Sequence, residues 1–446
     1  MPDDPMSVRR REETRPQRAR AGASPIIRRE LKGGLVTVLW PDPGNPRAAL
    51  YVVYPVGSRL ELPGPTGLAH FLEHMMFNGS VRFPDDAFDR ILEDLGGSNN
   101  AYTTEEITVY QDLVPASAVG RVLELEADRR QDLLIDEVRV ERERGVILSE
   151  RHASVDNDPI ARFLEVVQSV AFAGTSYASP VIGWHDDIER INANGLRGFY
   201  NRHYATGPVV IIGVGGIDPD AWERMIEAGW CPGPAPESPE PVECRGPGAS
   251  PEERRVEAKG PLSAPFLVMG FPAPGESGHE AGAHELLWTI LAGGLSSRLY
   301  ATLVESRSLA LDLETFRVGH RVPGRQFLGV TVSPRRRIGA VERVIREALL
   351  EIALHGPTEP ERERAINQRL ARYAHRLESV SGRAGLLVHA EVIQRDPDAL
   401  EAYPEKLSQV SLEDIRQVAE QSFGTGGWTV GVLTPEAAHA PSPGAT

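Results

Sequence analysis

The sequence predicts an α+β protein of two homologous halves, each an antiparallel-rich sheet with helices on one face. Three observations predict it. First, a Pro/Gly/Glu-rich stretch, CPGPAPESPEPVECRGPGASP, runs from Cys231 to Pro251 near the middle of the 446-residue chain. Such a composition holds no regular element and reads as a linker. It leaves about 200 residues on each side, an ordinary domain size. Second, the two sides open alike. Ala48 to Tyr54 is a strand-like apolar run, followed by a loop and a helix beginning near Gly67. Ala264 to Gly270 repeats the pattern, with a helix near His279. Third, they close alike. A helix pattern over Leu196–Tyr204 leads into the strand Val209–Ile212, and one over Leu412–Phe423 leads into Trp428–Val432.

The expected organisation is an arm over 1–25, a first domain over 26–230, a linker over 231–251, a second domain over 252–436 and a tail over 437–446. Long amphipathic helices are expected at Ala116–Arg130 and Asp136–His152.

Composition excludes several classes. Hydrophobic residues make up 41% and charged residues 25%, so a sizeable core can be buried. The formal net charge of −15 does not suit a nucleic-acid binder. Cys231 and Cys244 are the two cysteines, too few for a disulfide framework or a cysteine-only metal site. No apolar run of 18 residues exists, so no membrane span is expected. The first 25 residues are arginine-rich but lack the apolar core of a secretory signal, and Asp3, Asp4, Glu12 and Glu13 do not suit a transit peptide. They read as a disordered arm, and the chain as cytoplasmic.

The chemistry concentrates in TGLAHFLEHMMFNGS, residues 66–80. Leu68, Phe71, Leu72, Met75 and Met76 form one apolar helix stripe. His70, Glu73 and His74 fall on the opposite face. Two imidazoles four residues apart project side by side from one turn, close enough to share a metal ion. Glu73 lies beside the metal position rather than on it, where a general base can take a proton from an activated water. Polar residues opposite an apolar stripe also serve simply to meet solvent.

A catalytic zinc needs a third protein ligand. The segment VRVERERGVILSERH, residues 138–152, offers Glu143 and Glu150. They are seven residues apart (150 − 143 = 7), two helical turns, and share a face. Glu150 would be the ligand and Glu143 a carboxylate that orients a histidine. By itself this segment reads as an ordinary charged helix with a solvated face, which Glu141, Arg142 and Arg144 fit well.

HFLEH followed by ERERGVILSE resembles the inverzincins, the family of pitrilysin, insulin-degrading enzyme and mitochondrial processing peptidase. There the third ligand is a glutamate about 75 residues after the second histidine; here the separation is 150 − 74 = 76. GGSNNAYTTEEITVYQ (96–111) resembles the family's G-G-x-x-N-A-x-T strand, and FYNRHYA (199–205) its F-Y-x-x-x-Y ending. The resemblance covers residues 30–435. It implies a clam-shell of two halves around a chamber, one zinc ion per chain, and a metallopeptidase acting on extended peptides. It also implies that Asn100, Ala101, Tyr102 and Thr103 form an edge strand to which the peptide adds by backbone hydrogen bonds. As residues alone they are an ordinary edge strand.

The second half reads as a copy without metal. His284-Glu285-Leu286-Leu287-Trp288 stands where His70 to His74 stand, so the base has become Leu287 and the second ligand Trp288. His284 is then a plain structural residue. Relatives that work as single chains or homodimers carry an arginine and a tyrosine seven residues apart in this half. Here Val304 and Leu311 occupy those places. The resemblance therefore implies a homologous metal-free partner subunit that supplies the pair. Two other readings are a non-catalytic structural subunit, like the core proteins of respiratory complexes, and a zinc hydrolase of a non-peptide bond.

Overall fold

The computed structural model describes residues 26–436 apart from 32–33, 62, 231–251, 335 and 425. The arm at 1–25, the linker at 231–251 and the tail at 437–446 lie outside the described residues.

The first half contributes strands β1 (Ile27–Glu30), β2 (Leu35–Pro41), β3 (Arg47–Tyr54), β4 (Ser98–Thr103), β5 (Thr108–Pro115) and β6 (Val209–Gly215). Its helices are α1 (Leu68–Met75), α2 (Ala87–Asp94), α3 (Val119–Gln131), α4 (Glu137–Arg151), α5 (Pro159–Ala171), α6 (His185–Arg190), α7 (Ala193–Tyr200) and α8 (Pro219–Gly229). The second half contributes β7 (Arg254–Gly260), β8 (Phe266–Ala273), β9 (Ala310–Val318), β10 (Gly324–Val332) and β11 (Thr429–Pro435). Its helices are α9 (Ala281–Ala292), α10 (Arg298–Tyr300), α11 (Ile338–His355), α12 (Glu359–Leu377), α13 (Val380–Val388), α14 (Ala399–Gln409) and α15 (Leu412–Phe423).

Two sheets result, ordered β1-β2-β6-β3-β5-β4 and β7-β11-β8-β10-β9. Setting β1 aside, the topologies coincide. In each sheet the first strand of the half pairs in parallel with the last, and every other pair is antiparallel. The duplication inferred from the openings and closings of the halves is thus present strand by strand. The expected helix at Ala116–Arg130 opens with a 3-10 turn at Ala116–Ala118 and becomes α-helical at Val119. The one expected at Leu196–Tyr204 starts earlier, at Ala193, because the Asn192 side chain caps the Gly195 amide at 3.0 Å. It gives way to a π-helical turn at Asn201–Ala205.

Each half's own helices cover one face of its sheet, and a helix from the other half covers the opposite face. Leu50, Val52 and Tyr54 of β3 pack with α1, α3 and α7 in one core. Ala49, Tyr51 and Val53 pack with Val380, Ala384 and Leu387 of α13 in another. Reciprocally, Phe163, Val167 and Ala171 of α5 pack on Phe266, Val268 and Phe327 of the second sheet. Burial on both faces explains why Ala48–Tyr54 is an unbroken apolar run rather than an alternating one. Gly431 of β11 leaves the space that α5 fills, since a Cβ there would lie 2.6 Å from Val167 and 3.0 Å from Phe163. Among the described residues no helix is long and apolar enough to cross a membrane.

Because Phe163 is 4% exposed and joins the halves, Phe163→Ala should lower stability by about 3–5 kcal/mol. The expected readout is a lower urea midpoint. An unchanged midpoint would mean that α5 does not pack on the second sheet.

Candidate metal centre

The site is built from α1, α4 and the edge strand β4. The apolar stripe seats α1, with Phe71, Leu72 and Met75 fully buried. Its start is held in an unusual way. Gly67 precedes it at φ +91°, in the left-handed region that glycine favours, and a Cβ there would lie 2.6 Å from the Ile182 carbonyl oxygen. No side chain of the capping residue serves the first amides. Instead the Glu61 carboxylate accepts from Gly67 N at 2.9 Å and Ala69 N at 3.0 Å. Burial raises the Glu61 carboxyl to about 7, against the pull of those two amides.

The opposite face of α1 meets protein rather than open solvent. α4 packs against it, its own start capped by Asp136, which accepts from Arg139 N at 2.9 Å. Two turns of α4 then bring both expected glutamates to one imidazole. His74 Nδ1 lies 2.9 Å from Glu143 Oε1, and His74 Nε2 lies 3.2 Å from Glu150 Oε2. His70 Nε2 lies 3.7 Å from Glu150 Oε1. His70, His74 and Glu150 each offer a ligand atom, all within 4.8 Å of one another. A tetrahedral ion with ligands at ~2.1 Å sets them ~3.4 Å apart, between these two contacts.

The donor set suits a cation. Burial first, then the neighbouring His74, lowers His70 to about 4, with Glu150 opposing, so its lone pair is available. Burial also opposes a charge on His74, but hydrogen bonds with Glu143 and Glu150 raise it to about 9. Its bond from Nδ1–H to Glu143 fixes the ring so that Nε2 faces Glu150, with a proton there in the absence of a cation and its lone pair available once a cation takes the proton's place. The remaining oxygen of Glu143 accepts from Asn78 Nδ2 at 2.7 Å, and Arg142 donates to Asn78 Oδ1. Glu150 is 42% exposed, which leaves that side of the cluster open to an incoming molecule.

Glu73 is 8% exposed, and burial raises its carboxyl above the ordinary value. The structure brings it together with Thr103, whose Oγ1 donates to Glu73 Oε2 at 2.5 Å. Asn100, Ala101, Tyr102 and Thr103 lie on β4, outermost in its sheet and, among the described residues, paired with β5 alone. Their side chains alternate: Ala101 packs into the core beside α1, while Tyr102 stands 36% exposed.

Four contributors were not foreseen from the sequence: Glu61, Asn78, Arg151 and the Thr103 side chain. Asn78 carried a usable signal, standing one turn after His74 (78 − 74 = 4). Arg151 sits beside Glu150 and binds Glu165 at 2.8 Å and the Gly183 carbonyl at 2.7 Å, which fixes the end of α4. Glu61 and Thr103 gave none, because both act across turns of the chain.

Among the described residues the second half has no counterpart cluster. His284 is 3% exposed and lowered to about 3 by burial. Leu287 is buried in the second core, and the Trp288 ring packs against Phe271 and Phe423. Val304 packs against that same core, and Leu311 on β9 is 55% exposed.

A duplicated α+β fold with an H-x-x-E-H helix in one repeat and an apolar substitute in the other defines the two-repeat class of inverted-motif proteins. The chain belongs to peptidase family M16, the insulinase family. Residues 36–184 match the family's insulinase domain, and residues 190–369 match its domain described as inactive. An uncharacterised zinc protease of Streptomyces coelicolor is 27% identical over 413 residues, covering 90% of this chain and 88% of that protein. Subunit 1 of the rat mitochondrial cytochrome b-c1 complex is 32% identical over 176 residues, 39% of this chain and 36% of that protein. The crystal structure of a protease from Helicobacter pylori shares the fold with a TM-score of 0.87 at 24% identity, covering 93% of this chain and 100% of that one.

Glu61→Ala should leave the first amides of α1 without an acceptor and cost roughly 1–2 kcal/mol, like the loss of a helix cap. Thermal unfolding of parent and variant would show it, and equal midpoints would remove Glu61 from this role.

Proposed function

We propose that this chain is a zinc metalloendopeptidase that cuts extended peptides or unfolded segments in a chamber between its halves. One observation carries the reading: His70, His74 and Glu150 converge from two helices, with the buried carboxyl of Glu73 beside them. His70, His74 and Glu150 would hold one zinc ion. Glu143 would orient His74. Bound zinc would lower the pKa of a water toward neutrality and polarise the scissile carbonyl.

Glu73 would take the proton of the attacking water and return it to the leaving amine. Burial, which raises this carboxyl, makes it a stronger base than a solvated glutamate. The peptide would add to the free edge of β4 at Asn100–Thr103, where backbone groups give affinity without demanding a sequence.

The likeness to a respiratory-complex subunit favours a second reading, a non-catalytic structural subunit of the same fold. The intact quartet weighs against it, since a scaffold has no use for two histidines and a carboxylate gathered round an open position.

Glu73→Gln should keep zinc and lose turnover of a generic unfolded peptide by orders of magnitude, whereas Glu150→Ala should lose zinc. Metal content and cleavage measured on the same samples test both roles. Zinc lost from Glu73→Gln, or full activity retained by it, would sink the assignment.

We also propose a homologous metal-free partner subunit, as in mitochondrial processing peptidase. Val304 and Leu311 cannot donate a hydrogen bond to a substrate carbonyl or an oxyanion. Losing one such donor typically costs about 100- to 1000-fold in rate. The purified chain should therefore hold zinc yet turn over slowly, and a partner bearing the arginine and tyrosine should restore the rate. Full activity from this chain alone would refute the heterodimer.

A further inference from the structure

We infer that Thr103 is the positioning residue of the general base: its hydroxyl fixes which oxygen of Glu73 faces the reacting water, and ties that base to the strand that holds the substrate. The inference rests on the peptidase reading and deepens it.

The geometry is direct. Thr103 Oγ1 lies 2.5 Å from Glu73 Oε2, within the range of a hydroxyl donating to a carboxylate. The hydroxyl has one proton to give. Its other neighbour is Thr108 Oγ1 at 3.3 Å, whose own proton goes to the Val56 carbonyl at 3.0 Å. The shorter, charge-assisted bond takes the Thr103 proton. Glu73 Oε2 is thereby occupied, and Oε1 is the oxygen left to accept a proton from water.

The position of Thr103 gives this bond a second consequence. Thr103 ends β4, where it pairs with Thr108 across the β4–β5 hairpin. Its side chain turns inward to Glu73 while its backbone belongs to the edge strand. A peptide adding to β4 therefore docks on the same residue that orients the base. The hairpin turn is itself braced. Thr104 Oγ1 accepts from Glu106 N and Ile107 N, each at 3.1 Å. The buried Glu106 carboxylate accepts from Tyr177 Oη at 2.7 Å, and from His320 N at 3.1 Å and Arg321 N at 3.0 Å in the second half. Thr103 is thus held from behind, so the bond to Glu73 has little freedom to drift.

Valine has nearly the shape of threonine without the hydroxyl, and serine keeps the hydroxyl. Thr103→Val should lower kcat about 10- to 100-fold, the usual cost of losing a partner that orients a group at a metal site. KM and zinc content should stay at the parent values, and Thr103→Ser should recover most of kcat. The assay is cleavage of a quenched fluorescent peptide by the chain, or by its complex where a second subunit is required. Urea midpoints of Thr103→Val, Glu73→Ala and the double variant should be non-additive, a reading of the bond that does not depend on activity. Parent-level kcat in Thr103→Val, a Thr103→Ser variant no better than it, or additive midpoints would each overturn the inference. A parent that leaves the peptide intact both alone and in its complex, while the cycle still couples, would overturn the peptidase reading, and this role with it, leaving only the hydrogen bond.

Discussion

The site depends on one imidazole held from two sides. His74 meets Glu143 at Nδ1 and Glu150 at Nε2, and both carboxylates come from one helix. That double contact sets the rotation of α4 against α1. A helix turned by one residue, about 100°, would carry both glutamates off the shared face. The same contact decides the charge state. Two carboxylates hold a proton on His74 up to about 9, while burial and that neighbouring imidazole keep His70 neutral down to about 4. A cation between them would replace that shared proton and satisfy the same groups.

The surroundings of α1 and α4 serve that contact. Glu61 holds the start of α1 where the capping glycine cannot, and Arg151 binds the Gly183 carbonyl at the end of α4. Gly183 in turn lies against Gly67, since a Cβ on Gly183 would come within 2.8 Å of the Gly67 Cα. The two helices are thus tied at a second point, away from the histidines. On the other side β4 closes the site, with Thr103 reaching Glu73 and no further strand pairing with its outer edge among the described residues.

Duplication explains the rest of the architecture. Two sheets of like topology each need cover on both faces, and each half supplies a helix to the other: α5 to the second sheet, α13 to the first. The exchange makes the halves one packed body, and among the described residues one repeat carries the polar cluster. In the other, Leu287 and Trp288 fill the equivalent place with apolar side chains. A ligand set needs several residues to be right at once, whereas packing needs only volume, so a duplicated half can lose the first and keep the second.

The sequence alone determined the two halves, their matching ends, and the helix bearing His70, Glu73 and His74. These are local signals: apolar periodicity, a Pro/Gly-rich interruption and a four-residue histidine spacing. It also put Glu143 and Glu150 on one helical face, but only as one charged helix among several, because spacing says which residues share a face and not what that face meets. Tertiary structure decided the remainder. The interior charge of α3, with Glu126 and Arg129 paired and nearly fully buried, has no periodic signature, since a buried ion pair reads as a surface one until its surroundings are known. The covering of each sheet by a helix from the other half joins residues far apart in the chain, such as Phe163 with Phe266 (266 − 163 = 103) and Ala49 with Val380 (380 − 49 = 331). So does the hold of Glu106 on His320 and Arg321, more than 200 positions away. The Thr103–Glu73 bond spans 30 residues and two elements. Such contacts are fixed by how finished elements pack, and no pattern along the chain encodes them.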